Sequence, residues 1–69
     1  MTLTAEKLRE QWQKDPQRMA NQLADILKDF GYPVSGEWVR GTMVKLYAGE
    51  KPAGGPAMFL DGWIKKGIG

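Results

Sequence analysis

Apolar positions recur at helical spacing along most of the chain. Leu8 and Trp12 lie one turn apart, and Met19, Leu23, Ile26, Leu27 and Phe30 step along one face of a second helix. Val39, Met43, Leu46 and Tyr47 repeat the pattern in a third. Phe59, Leu60, Trp63 and Ile64 form the apolar face of a short fourth. No stretch alternates with a period of two for long enough to predict a strand. Residues 42–47 come nearest, being rich in β-branched and aromatic side chains, but helical spacing fits them better.

Start and stop residues sharpen these boundaries. Thr4 is suited to cap the first helix, with Leu3 and Leu8 spaced as a hydrophobic staple and Glu6 in the first turn. Pro16 disfavours helical geometry at Asp15, so the first helix ends there. Asp15 can then cap a second helix that has Pro16 at its first position. Gly31 suits the left-handed residue that follows a helix, Gly49 can stop the third helix, Ser35 suits an N-cap, Pro56 opens the last helix and Gly67 closes it. The expectation is a single all-α domain, residues 1–69, of four helices at about 4–15, 16–30, 35–48 and 56–66. Its expected core is Leu8, Trp12, Met19, Leu23, Ile26, Leu27, Phe30, Val39, Met43, Leu46, Phe59, Leu60 and Trp63.

Composition narrows the chemistry more than the fold. The 69 residues include no Cys and no His. That excludes disulfides, thiol nucleophiles, zinc knuckles, imidazole bases and His-ligated metals. The remaining acids are mostly interleaved with bases at helical spacing, as in Glu6, Lys7, Glu10 and Lys14, which is the pattern of a solvated face. No nucleophile, base and orienter set emerges, so neither catalysis nor a cofactor or small-molecule substrate is expected. No basic leader followed by an apolar stretch precedes the first helix and no apolar run reaches membrane length, which makes the cytoplasm the default location.

Charge and glycine divide the chain at one point. Acids and bases balance in residues 1–30, whereas residues 31–69 hold five bases against three acids and all nine glycines. Any functional surface is therefore expected between Ser35 and Lys66, with the first thirty residues as its support. A core this small barely offsets the entropy of ordering the chain, so self-association or partner binding is a plausible second source of stability.

Several segments have a functional and a structural reading. Residues 19–47, and most closely Leu23 to Arg40, resemble a generic DNA-binding helix-turn-helix: an apolar-striped helix, a Gly turn and a Ser-capped second helix. The resemblance implies nucleic-acid binding through Arg40 and Lys45, assisted by Lys51, Lys65 and Lys66. It departs from the tight motif at Glu37, where a buried Val or Ile belongs. Trp38, Gly41 and Lys45 share a stripe beside the core face of the third helix. Trp38 reads first as closing the core edge against Trp12 or Trp63, and second as a binding anchor. Residues 51–56 lack the phosphate-loop pattern and read as a shaped connector. The amphipathic end from Met58 to Lys66 could lie on a membrane surface, but its apolar face is needed to cover the core. The leading expectation is a non-enzymatic module acting by protein–protein interaction or homo-oligomerisation, through Trp38, Arg40, Gly41, Lys45, Lys51, Lys65 and Lys66. A helix-turn-helix nucleic-acid binder is the alternative.

Overall fold

Short-range signals set every helix boundary. In the computed structural model, which describes residues 3–68, the Thr4 hydroxyl accepts a hydrogen bond from the Lys7 N–H at 3.1 Å and opens α1 (Ala5–Lys14). A single residue separates α1 from α2 (Pro16–Asp29). The Asp15 N–H donates to the Gln11 carbonyl at the end of α1, while its carboxylate accepts from the Arg18 N–H at 3.2 Å to cap α2. Pro16 fixes the first helical φ and keeps Asp15 out of the helical region.

The next two helices end in the same way. After α2, Gly31 adopts φ +92°, its N–H donates to the Lys28 carbonyl, and the Tyr32 N–H donates to that of Leu27. After α3 (Gly36–Tyr47), Gly49 adopts φ +96°, with its N–H on Leu46 and the Glu50 N–H on Lys45. Both are Schellman closures, which satisfy carbonyls that a helix end otherwise leaves unpaired. Ser35 caps α3 by accepting from the Trp38 N–H at 3.1 Å. No side chain caps α4 (Pro56–Lys66), which begins after Gly55 at φ +58°.

The fold is all-α, as expected, and each predicted helix is found within a residue of its expected ends. Each helix packs on the next in sequence, and α4 returns to α1, closing a ring of neighbours. The return is fastened by one antiparallel bridge: Leu3 and Ile68 exchange N–H···O bonds of 2.7 and 2.6 Å.

The core differs from the expectation in an instructive way. Leu8, Met19, Leu23, Leu27, Val39, Met43, Leu46 and Leu60 are buried as predicted. Ala20, Ala24 and Ala57 are buried too, although the sequence reading omitted them. Phe30 and Phe59 are instead 58% and 38% exposed, and Trp12, Ile26 and Trp63 are only half-buried. The reason is geometric. On α4, Ala57 and Leu60 lie one turn apart and define the inward line, which leaves Phe59, about 100° round from Leu60, on the flank. Phe30 lies past the last helical residue of α2, where the chain has begun to turn away.

Tyr47 gives a testable detail. Its ring lies 5.8 Å from that of Trp12 and beneath the Arg9 guanidinium at 6.0 Å. Its hydroxyl is buried with no hydrogen-bond partner among the described residues. Burial raises its pKa above the ordinary value near 10, against a smaller lowering by Arg9. A group whose folded pKa is raised gives its full stabilisation below the unfolded pKa and loses it as pH climbs through the folded one. Tyr47→Phe should therefore leave stability at pH 7 unchanged, or raise it by up to about 1 kcal/mol, because an unsatisfied buried hydroxyl is removed. The stability difference between variant and wild type should widen above about pH 10 in thermal melts. A clear loss of stability at pH 7 would show that the hydroxyl does find a partner.

Candidate interaction surface

Four aromatic rings from the end of α2, the turn after it and α4 meet at one corner of the molecule. Phe30 and Phe59 stack with centroids 5.5 Å apart and planes 10° from parallel. Tyr32 tilts against Phe59 at 5.5 Å, and Trp63 touches both Phe59 at 6.0 Å and Phe30 at 6.3 Å. Tyr32 and Trp63 are half-buried against the core and hold the exposed pair in place. An aromatic side chain presents about 200 Å², so Phe30 and Phe59 together leave roughly 200 Å² of apolar ring in water. Stacked aromatics on a supporting layer are rigid, and little entropy is lost when something covers them.

A second feature is a groove of about 300 Å³ between α3 and the loop at residues 50–53. It gathers three of the residues that the sequence singled out: Trp38, Lys45 and Lys51. Leu46, Pro52 and Ala57 give it an apolar lining, and Glu50 also borders it. Trp38 is 41% exposed, and among the described residues its ring pairs with no other aromatic. The expected closure of the core edge against Trp12 or Trp63 is thus not what the structure shows. Trp12 tilts against Tyr47, and Trp63 joins the aromatic corner.

The other singled-out residues lie elsewhere. The Arg40 guanidinium turns to α2 and donates from Nη1 to Gln17 Oε1 at 3.1 Å, and Gln17 Nε2 donates in turn to Asn21 Oδ1. Gly41 is exposed with open space around it. Lys65 pairs with Asp61 at 3.1 Å one turn earlier on α4, and Lys66 is exposed beside it. The first turns of α3, which a recognition helix would present, therefore carry the exposed Glu37 and an Arg40 already engaged with α2.

The aromatic corner was missed because its parts are remote in sequence and three of its rings, Phe30, Phe59 and Trp63, fit helical core positions, while Tyr32 lies in a turn. The one sequence signal was that α4 carries more apolar side chains than one face can bury: Ala57 to Leu60 run consecutively. Among the described residues, no three Asp or Glu side chains come together as metal ligands would, and no helix is long and apolar enough to cross a membrane. Comparison with known proteins finds no matching family model, no matching curated protein and no matching solved structure.

Proposed function

We propose that this chain is a small non-enzymatic module that acts by binding another protein, with the aromatic corner of Phe30, Tyr32, Phe59 and Trp63 as its anchor. The observation that carries this reading is the stacked Phe30–Phe59 pair, which leaves about half of its combined surface in solvent. At about 25 cal/mol per Å², covering roughly 200 Å² of apolar surface is worth up to about 5 kcal/mol before association costs. Aromatic side chains, Phe among them, are enriched at the cores of protein interfaces. The exposed area is small against the roughly 800 Å² per partner of a standard interface. The corner is thus the centre of a contact that a partner extends over neighbouring surface, and a second copy meeting ring to ring would form only a weak dimer.

Duplex recognition by a helix-turn-helix is less well supported, since α3 offers a carboxylate and a pre-engaged guanidinium where base contacts belong.

The test is a photo-crosslinking amino acid placed at position 30 or 59 in cells that make the protein. Discrete adducts are expected from both positions and none from Gln13, which is exposed on α1. Silence at both 30 and 59 overturns the proposal. Phe30→Ser with Phe59→Ser should abolish adducts from a probe placed at Tyr32; losing the covered part of both rings should cost about 2–3 kcal/mol, so circular dichroism of the variant checks that it still folds.

A further inference from the structure

We infer that the groove between α3 and the loop at residues 50–53 binds single-stranded nucleic acid, with one base stacked on Trp38 and the adjoining phosphates held by Lys45 and Lys51. This site is separate from the aromatic corner and does not depend on it.

Three observations converge on this occupant. First, Trp38 offers an exposed ring with no aromatic partner among the described residues, whereas Trp12 and Trp63 are both engaged. Every base has a π-face, so such a ring is a sequence-tolerant stacking platform. Second, the cations are placed and free. Lys45 comes from α3 and Lys51 from the loop, and neither forms an ion pair among the described residues, unlike Lys65. The chain's whole positive excess lies in the half that builds this groove. Third, the lining of Leu46, Pro52 and Ala57 and a volume of about 300 Å³ suit one flat apolar group, with charges at the border. A duplex hides its bases within the stack, and only a single strand can supply both a free base face and a flexible run of phosphates. Glu50 opposes this occupant. It leaves the groove border with a net charge of +1 and sets a built-in limit on affinity.

Magnitudes follow from the two lysines. Neutralising two phosphates of a single strand gives a salt slope of about −1.4, so affinity should fall about sevenfold between 50 and 200 mM salt. Loss of one stacked base costs at least about fivefold.

The experiment is fluorescence anisotropy of fluorescein-labelled oligodeoxythymidylate, 12-mer by choice, titrated with the full chain. Saturable binding at 50 mM salt is expected, with the sevenfold loss at 200 mM. Trp38→Ala should weaken it at least fivefold and Trp38→Phe less. Glu50→Gln should tighten it, and Lys65→Gln with Lys66→Gln, which lie outside the groove, should change it less than twofold. Circular dichroism of each variant checks that it folds. Absence of binding at 50 mM salt overturns the inference, as does a folded Trp38→Ala that binds like wild type. Tighter binding of a fluorescein-labelled oligoglutamate would reassign the groove to an acidic peptide, and tighter binding of a duplex would reassign the surface to double-stranded DNA. Either result overturns the inference.

Discussion

Gly67→Ala should destabilise the domain by about 3–4 kcal/mol and lower its melting temperature by more than about 12 °C. Two effects add. Gly67 adopts φ +85° and ψ −177°, a region only glycine enters without strain, which alone accounts for about 1–3 kcal/mol. A β-carbon there would also lie 2.5 Å from the Leu3 carbonyl oxygen and 2.9 Å from the Ala5 nitrogen and the Thr4 α-carbon. These are backbone atoms and cannot rotate aside, so the Leu3–Ile68 bridge would have to open. Gly41→Ala is the contrasting case. Gly41 is inside α3 with nothing within 4 Å of its β-position, so alanine there should stabilise by about 0.5–1 kcal/mol. Urea unfolding of both variants checks the pair. A Gly67→Ala protein as stable as wild type would mean that the bridge contributes nothing.

Leu60→Ala should cost about 3–4 kcal/mol, while Phe59→Ala, one residue away and larger, should cost only about 1–2 kcal/mol. Leu60 is the only large side chain of α4 that is fully buried, with Ala57 as its one buried companion; Trp63 and Ile64 pack against the core only in part. Truncation removes the transfer energy of three carbons and leaves a cavity between α4 and its neighbours. A domain of this length has a total stability of about 3–10 kcal/mol, so the variant stands near the unfolding threshold. Hydrogen exchange should show α4 amides losing protection first. Equal costs for the two truncations would mean that α4 is rotated and that Phe59, not Leu60, faces inward.

That contrast marks where sequence reading reached its limit. Caps and stops were legible because each is decided within four residues. Thr4, Asp15 and Ser35 accept from the N–H three positions on, and Gly31 and Gly49 supply the backbone angle that their closures need. The inward line of α2 was mostly legible, since polar residues flank it. The orientation of α4 was not, because Ala57, Met58, Phe59 and Leu60 are all apolar and periodicity cannot choose among them. Alanines were undervalued for a related reason: a small side chain is buried where helices approach closely, a property of the pair and not of either segment. The candidate site divided in the same way. Trp38 and Lys45 were readable as one stripe of α3, and Lys51 joins them only through the path of a loop. Arg40 looked available until Gln17, from another helix, was found bonded to it. The aromatic corner draws on residues as far apart as Phe30 and Trp63, and no local pattern announces it.

The ring order of the helices also has a kinetic consequence. Three of its four junctions join consecutive elements, so they close short loops and form early; only α4 on α1 must wait for nearly the whole chain to be gathered. Folding should therefore be fast, in the microsecond to millisecond range, with the Leu3–Ile68 bridge absent from the transition state. Substitutions at that bridge should accelerate unfolding and leave the folding rate almost untouched. The last contact to form would then be the first to open, and the lifetime of the native state would be set at the seam where the circle closes.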